Sequence, residues 1–281
     1  MSKPRMAARD VRTPAVAGLF YPGNSEALRR DLDSLFRKAK APRPSGVVRG
    51  IVAPHAGYMY SGSTAASGYA RLAGARYDTV VVVSPSHREY FEGVSVYPGS
   101  AYETPLGTVP VNTGLRERLI AACPTVAASE IGHREEHAIE VHLPFLQKIL
   151  PPFQLLPIVM GHQSRELCFA LGTALGTLLR GENALLVAST DLSHYHPSSV
   201  ANRLDAIVIE DLKRFDGKGL MDDLDAGKCE ACGGGPTVAV MTALAALGVT
   251  AMEVVHHCNS GDITGDTSSV VGYVAAVAYA S

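Results

Sequence analysis

The chain has 281 residues, of which 47% are hydrophobic and 19% charged, a composition that supplies a large core and excludes a disordered protein. Its formal net charge of −2 argues against a protein that binds nucleic acid or an anionic membrane through a basic face. No apolar run is long enough to span a bilayer, the first twelve residues lack a secretory signal, and the five cysteines form an odd set. We therefore expect a cytoplasmic protein with reduced thiols.

The chain begins with an arm, residues 1–24, which contains proline and glycine and is expected to wrap the surface. The first helix is predicted at 25–40, with Asn24 or Ser25 as its cap, and the segment 41–46 (Ala-Pro-Arg-Pro-Ser-Gly) ends it. Short apolar runs then predict strands at 47–53, 79–84, 154–160, 184–189, 251–256 and 270–279. Helical patterns lie between them at 63–72, 138–150, 164–179, 199–215 and 237–247.

This alternation predicts the fold class and the number of domains. Strands that alternate with helices are typical of an α/β protein with a central mixed, largely parallel sheet covered by helices on both faces. No internal repeat or linker divides the chain, so we predict a single domain over residues 1–281.

Histidines follow four of the predicted strands. His55, His87, His162 and His194 each come within a few residues of the end of an apolar run. The carboxyl ends of parallel strands meet at one edge of an α/β sheet, where ligands bind. A single such histidine is more simply a hydrogen-bonded loop residue, and we interpret His162 in that way. Together the others predict a metal site, with His55 and His87 on proline-stiffened turns.

A third ligand is expected from Cys232, which stands just before the predicted helix at 237–247. A thiol near a helix N-terminus has a lowered pKa, which favours the metal-binding thiolate. Cys229 and Cys232 form a lone Cys-x-x-Cys, whereas a zinc ribbon needs a second pair, and a redox dithiol remains an alternative. The glycines at 233–235 do not match either phosphate-binding fingerprint and are interpreted as a tight turn.

A competing motif lies at His133-Arg-Glu-Glu136-His137, which matches the His-x-x-Glu-His signature of inverted zinc metallopeptidases. On a helix, His133 and His137 would share a face and bind one zinc ion. Gly132 weakens a helix at this point. We therefore favour the interpretation that His137, Glu140 and His142 open a helix whose start lines the pocket behind the metal ligands.

With these segments assembled, the chain resembles the MEMO family, including the members called AmmeMemoRadiSam system protein B. The resemblance covers nearly the whole chain. It rests on Arg12-Thr-Pro-Ala-Val-Ala-Gly-Leu-Phe-Tyr-Pro22, Ala53-Pro-His-Ala-Gly-Tyr58, Ser84-Pro-Ser-His87, Tyr102-Glu-Thr-Pro-Leu-Gly107, Glu136-His-Ala-Ile-Glu-Val-His-Leu-Pro-Phe145, Ser189-Thr-Asp-Leu-Ser-His194, Cys232-Gly-Gly-Gly-Pro236 and Ser268-Ser-Val270.

The resemblance implies a fold like that of the class III (LigB-type) extradiol dioxygenases. It implies a metal held by His55, His87 and Cys232, with Asp191 and His194 as catalytic pocket residues beside it. Those dioxygenases use a carboxylate on iron(II) where this chain has a thiolate, so copper and zinc become competitive with iron. The family context also implies a link to AMMECR1-like and radical SAM proteins.

Three functions follow as hypotheses. The first is a metal-dependent redox or dioxygenase-like enzyme that acts on an unknown small-molecule or protein substrate. The second is a binding or scaffold protein that holds metal without turnover. The third is the His-x-x-Glu-His metallopeptidase, in which Glu136 would activate water.

Overall fold

The predicted alternation of strands and helices is present in the structure, a computed structural model that describes residues 10–39 and 46–280. In chain order the strands are Val11–Arg12 (β1), Val47–Ala53 (β2), Thr79–Pro85 (β3), Val94–Val96 (β4), Ala101–Thr104 (β5), Gly107–Pro110 (β6), Val126–Ala128 (β7), Gln154–Met160 (β8), Ala184–Ser189 (β9), His194–His196 (β10), Met252–Asn259 (β11) and Val270–Ala280 (β12). The α-helices are Ser25–Lys38 (α1), Tyr58–Tyr69 (α2), Thr113–Ala122 (α3), Leu143–Ile149 (α4), Arg165–Leu178 (α5), Ser198–Arg214 (α6), Gly217–Asp225 (α7), Gly234–Ala246 (α8) and Gly261–Thr264 (α9). Ala70–Leu72 and Glu140–His142 form short 3₁₀ helices.

The main sheet is mixed, with a parallel centre. Its order is β10-β12-β2-β9-β3-β8-β4-β7, and β11 also pairs with β12. Strands β2, β9, β3 and β8 run parallel to one another, whereas β12 is antiparallel to β2 and β4 is antiparallel to β8. The predicted single α/β domain with a mixed sheet is confirmed. The antiparallel strands lie on either side of the parallel centre.

Helices cover both faces of this sheet, as predicted. Successive residues of β3 point to opposite faces, so that Val80 and Val82 join one core whereas Val81 and Val83 join the other. Helices α5 and α8 cover the face of Val81, and α1, α2 and α4 cover the face of Val80. Because both faces are buried, the central strands are continuous apolar runs without a polar alternation.

The N-terminal arm is partly inserted into the molecule. Its strand β1 pairs with β5 in a small second sheet that also contains β6. Arg12, Val16 and Tyr21 are buried, whereas Leu19 is 79% exposed. The arm was expected to wrap the surface, and the part that the structure describes instead sends side chains inward. Residues 1–9 lie outside the described ranges.

Most predicted elements recur with small shifts at their ends. The side chain of Asn24 caps α1 by accepting hydrogen bonds from the Glu26 and Ala27 amides. The predicted helix end at 40–45 lies outside the described residues. The helix predicted at 138–150 begins instead as a 3₁₀ turn, and α4 follows with Pro144 in its first turn. Helices α3 and α7 and the small sheet were not predicted. None of the helices that the structure describes is long and apolar enough to cross a membrane.

Helices α5 and α8 pack closely because glycines occupy the contact. A Cβ atom at Gly172 would lie 2.6 Å from the Ala239 carbonyl oxygen, and one at Gly176 would lie 2.6 Å from the Ala246 Cβ atom. Each distance is too short for two such atoms, so only glycine permits this approach.

We therefore predict that Gly172→Ala lowers the free energy of unfolding by about 1–3 kcal/mol, because the helices must separate or strain. This loss should exceed the gain of about 1 kcal/mol in helix propensity. Urea unfolding measures the change, and Thr173→Ala on the exposed side of the same helix is the control. An unchanged or raised stability of Gly172→Ala would contradict the close packing.

Candidate metal centre

Three histidines meet at the carboxyl edge of the parallel strands. His55 and His87 each stand two residues beyond their strands, β2 and β3, and His137 comes from the segment before the 3₁₀ helix. The ring centre of His55 lies 4.9 Å from that of His87 and 5.4 Å from that of His137. Within the described residues, one ligand nitrogen from each of the three lies within 4.8 Å of the others, so the group can hold a metal ion.

The Ser189 hydroxyl, at the end of β9, determines which nitrogen of His55 is free. Ser189 Oγ donates a hydrogen bond to the Ala138 carbonyl oxygen, 2.7 Å away. It also lies 2.7 Å from His55 Nδ1 and 2.8 Å from His142 Nε2. Because the single hydroxyl proton is already used, both imidazole nitrogens must be donors, so His55 carries its proton on Nδ1 and keeps a lone pair on Nε2.

The buried His142 completes this network. Its Nδ1 lies 2.8 Å from the Tyr69 hydroxyl, which therefore donates to it. Burial and the charge of His137 lower the pKa of His142 to about 3, so the ring stays neutral at neutral pH. These hydrogen bonds form one continuous series, which runs from the Tyr69 hydroxyl through His142 and Ser189 to the Ala138 carbonyl oxygen. The network therefore fixes the orientation of His55.

His87 is oriented by the carboxylate of Glu136. Its Nδ1 lies 3.0 Å from Glu136 Oε1, and its backbone amide also donates to this carboxylate. Burial opposes the ionisation of Glu136, but the hydrogen bonds and charges of His87 and the charge of His137 outweigh it and lower the pKa to about 2. A charged carboxylate on Nδ1 leaves His87 Nε2 free, which is the usual arrangement behind a metal-binding histidine.

His137 lies closer to the histidine pair than the sequence implied. Its ring stacks on that of His87 at 4.8 Å, and the Phe20 ring of the arm also packs against it, with the ring centres 4.8 Å apart. His137 Nδ1 is buried and makes no hydrogen bond. Burial lowers the pKa of this ring to about 4. Its Nδ1 lies 3.2 Å from Glu136 Oε1, and a neutral imidazole beside His55 and His87 fits a metal ligand.

Cys232 contacts His55 but does not belong to the group of potential metal ligands among the described residues, whose third member is His137. Its Sγ is 3.1 Å from His55 Nε2 and accepts a hydrogen bond from the Asp191 amide at 3.2 Å. We expected the start of α8 to lower the pKa of this thiol. Instead burial, helped by the charge of Asp191, raises that pKa well above its usual range. Desolvation is larger than the helix effect here, so the metal-free thiol is protonated.

The glycines after Cys232 serve close packing. A Cβ atom at Gly233 would overlap the Ser189 carbonyl oxygen, and one at Gly235 would lie 2.7 Å from Gln163 Cβ. Gln163 also donates to the Cys232 carbonyl oxygen at 2.8 Å and accepts from the Gly235 amide. The predicted tight turn is therefore present, and it presses Cys232 against the end of β9.

Asp191 and His194 lie beside the histidines, on the loop after β9. Asp191 Oδ1 accepts a hydrogen bond from the His55 amide at 2.8 Å, and burial raises the pKa of this carboxyl to about 7. His194 Nδ1 donates to the Leu192 carbonyl oxygen at 2.7 Å, so Nε2 keeps a lone pair. Burial lowers the pKa of His194. The hydrogen bonds described for Asp191 thus go to His55 and Cys232, while the Leu192 carbonyl orients His194.

Glu140 lies beneath the site and is fully buried. Its carboxylate pairs with Arg12 and accepts hydrogen bonds from the Tyr21 hydroxyl and from the amides of Ala15 and Val16. Glu140 thus holds the N-terminal arm against the segment that carries His137.

The metallopeptidase interpretation is wrong in its geometry. Residues 133–137 are not helical in the structure, and Gly132 before them has φ +79°, so His133 and His137 do not share a helix face. His133 Nδ1 instead lies 2.6 Å from the Tyr102 hydroxyl, and His133 is absent from the histidine group of the described residues. The Glu136 carboxylate, which would have to activate water, is instead hydrogen-bonded to His87.

The remaining residues singled out in the sequence are structural. Cys229 is 3% exposed and packs in the core, and burial raises its pKa to about 11. All five cysteines are free. His162 contacts the ring of Tyr90 at 6.4 Å. The sequence analysis missed the roles of Ser189 and Glu136, although both lie inside the motifs Ser189-Thr-Asp-Leu-Ser-His194 and Glu136-His137.

Comparisons with known proteins identify a family and a similar fold. The sequence model of the family described as "Memo-like protein" matches residues 12–277. A MEMO1 family protein of Methanosarcina mazei is 40% identical, with 95% of this chain and 99% of that protein covered. The corresponding values are 37%, 94% and 98% for one from Methanothermobacter thermautotrophicus, and 39%, 94% and 97% for one from Aquifex aeolicus. A crystal structure of the uncharacterized protein JW3007 from Escherichia coli K12 is similar in fold, with a TM-score of 0.52 at 17% identity over 81% of this chain and 99% of that one.

The buried histidines predict how the metal-free protein responds to acid. Burial lowers the pKa of His55, of His133 to about 3, of His137 to about 4 and of His142 to about 3. Below pH 6.5 these histidines bind protons in the unfolded chain but stay neutral in the folded protein. The free energy of unfolding therefore falls as the pH falls. The raised pKa of Asp191 acts in the opposite direction between about pH 4 and 7, as do the raised pKa values of Asp31, Asp205 and Asp211, whereas the lowered pKa values of His194 and His256 add to the loss.

In the presence of a chelator, we expect the free energy of unfolding in urea to be at least about 2 kcal/mol lower at pH 5 than at pH 7. His142→Asn should reduce this dependence by about one proton, because it removes one of the neutral buried rings. Equal stability at the two pH values would contradict the neutral state of these histidines.

Proposed function

The chain belongs to the Memo-like protein family, and we propose that it is a metal-dependent redox protein with one mononuclear site held by His55, His87 and Cys232. The observation that carries the proposal is the pairing of free donor atoms around His55. His55 Nε2, freed by the Ser189 contact, lies 3.1 Å from Cys232 Sγ and close to the ring of His87.

The distance between these donors supports a shared ion. With metal bonds of about 2.3 Å to sulfur and about 2.1 Å to nitrogen, two ligands of one tetrahedral ion lie roughly 3.5 Å apart. The 3.1 Å between His55 Nε2 and Cys232 Sγ is near this value. Binding would convert Cys232 to the thiolate at the expense of a proton, since burial raises the pKa of the thiol in the metal-free protein. His137 is the alternative third ligand.

The residues behind the ligands support a metal function as well. Ser189 fixes the proton of His55 on Nδ1, and Glu136 occupies Nδ1 of His87. Such partners set the orientation and basicity of metal-bound imidazoles.

Iron or copper in such a site would supply one-electron redox chemistry and an open coordination position, and zinc would supply a Lewis acid. Around it, His194 has a free Nε2 and a lowered pKa, so it is neutral and able to accept a proton from a bound substrate. Asp191 holds the backbone of His55 and the sulfur of Cys232 in place. The dioxygenase-like division of roles therefore has His194 as the base.

The cellular setting is part of the proposal. Five free cysteines fit the reducing cytoplasm. The link to AMMECR1-like and radical SAM proteins that the resemblance implies would supply the context of the reaction. The substrate is a small molecule or protein that reaches the exposed side of His87.

The first test separates ligands from the proposed base. We expect His55→Ala and His87→Ala to lose most bound metal after identical dialysis, because each removes a direct bond, while His194→Ala keeps it. Metal analysis by mass spectrometry gives the stoichiometry of each variant. Retention of metal by both His55→Ala and His87→Ala would refute the site, and equal loss in all three would make His194 a ligand.

A second test identifies the third ligand. With cobalt(II) bound, a thiolate ligand gives a sulfur-to-metal charge-transfer band in the near ultraviolet. We expect Cys232→Ser to abolish this band and to weaken cobalt binding, whereas His137→Gln should keep the band. Cys229→Ser is the matched control, since that thiol is in the core. Cobalt binding by the wild-type protein without this band would assign the third position to His137, and a band that survives in Cys232→Ser would show that the sulfur comes from another cysteine. Oxygen uptake by the metal-loaded protein with ascorbate then separates redox function from metal holding without turnover.

A further inference from the structure

The N-terminal arm reaches the metal-binding histidines from below through one buried arginine. We propose that Arg12 is a positioning residue for the metal site, which fixes the segment that carries Glu136 and His137. The inference rests on the proposed metal function. It assigns to the arm, expected from the sequence to be a wrapping segment, a part in the geometry of the site.

The guanidinium group of Arg12 spans the whole segment. Its Nε donates to the His133 carbonyl oxygen at 2.9 Å, and its Nη2 donates to the Glu136 carbonyl oxygen. Its Nη1 pairs with the Glu140 carboxylate. Arg12 is 3% exposed and Glu140 is fully buried, so water does not compete for these bonds. One planar side chain thus cross-links positions 133, 136 and 140.

The residues that Arg12 fixes are those that orient the ligands. The Glu136 carboxylate holds Nδ1 of His87 and accepts from the amides of His137 and Ala138 at 2.9 and 3.0 Å. His137 itself lies between Glu136 and Glu140, the two residues that Arg12 ties together. A displacement of this segment would therefore move the partner of His87 and the ring of His137 together.

The arm also contacts the loop that carries His55. The Phe20 ring lies 4.8 Å from that of His137, and the Phe20 carbonyl oxygen accepts a hydrogen bond from the Tyr58 amide at 2.7 Å. Tyr58 begins α2, three residues after His55. The Tyr21 hydroxyl bonds to Glu140. Residues 12–21 thus contact the segments that carry His137 and His55 directly, and they reach His87 through Glu136.

Lysine cannot replace arginine in this position. The three acceptors lie in three directions from one guanidinium plane, and two of them are backbone carbonyl oxygens without a charge of their own. An ammonium group offers three donors around a single point and cannot reach the same set. Arg12→Lys keeps the charge that balances Glu140 and removes the cross-link, so it tests position separately from charge.

The experiment compares cobalt(II) affinity, by competition with a chelating dye, and the cobalt spectrum in folded variants. We expect Arg12→Lys to weaken cobalt binding tenfold to a hundredfold and to change the visible spectrum, because the partners of the ligands are displaced. Tyr21→Phe, which keeps Arg12, should weaken binding less than fivefold. The matched control is Arg71→Lys, another arginine that is 8% exposed and pairs with Glu253 at 3.1 Å outside the site. It should leave affinity within twofold.

The outcomes separate the inference from the proposed function. Wild-type protein that binds no cobalt would refute the metal site and the inference with it. Wild-type binding with an unchanged affinity and spectrum in Arg12→Lys would overturn the positioning role alone. An equal loss of affinity in Arg12→Lys and Arg71→Lys would also overturn it, since the effect would then follow general stability. Should Arg12→Lys fail to fold, Glu140→Gln, which removes the charged partner of Arg12, decides by the same two measurements, with an unchanged affinity and spectrum overturning the role.

Discussion

The parallel register of β2, β9 and β3 is the constraint on which the site depends. Ala53 pairs with Ser189, and Val83 pairs with Ala188, so the three strands end within a few residues of one another along the sheet. Their following residues must therefore enter the same small volume. This geometry delivers His55, His87 and Asp191 without any direct attraction between them, and Ser189, the last residue of β9, lies between His55 and His142. The alternation of strands and helices along the chain therefore both buries the two faces of the sheet and brings the site residues together at the strand ends.

The cost of burying so many imidazoles is met by hydrogen bonds and by neutrality. A charged ring in this interior would repel its neighbours, and burial lowers the pKa values of His55, His137 and His142 accordingly. Negative charge lies close to them at Glu136 and at Glu140, and each carboxylate accepts several hydrogen bonds. Charge balance around the histidines is consequently set by backbone amides and by Arg12.

The sequence predicted the sheet well and the site in part. Apolar runs bounded by polar residues fix buried strands, and three of the six predicted strands match the observed bounds at 47–53, 154–160 and 184–189. The short helices α3 and α7 were not predicted because few of their side chains form a buried apolar face. In α3, only Leu115 and Leu119 are buried. Strand order predicted that His55 and His87 share an edge. It gave no measure of how far His137 extends toward them, because that depends on long-range contacts of the arm, such as Arg12 with Glu140.

The position of β12 has a consequence for the synthesis of the protein. This strand follows all the others in sequence, yet it lies between β2 and β11 and therefore seals an otherwise open edge of β2. The Leu192 amide donates to the Gly272 carbonyl oxygen, and the Gly272 amide donates to the Ser193 carbonyl oxygen. The loop that carries Asp191 therefore also needs β12 for its final conformation. A growing chain thus carries a bare apolar strand edge and an unfinished pocket until β12 has emerged from the ribosome. The pocket can therefore reach its final form only after β12 has paired with β2.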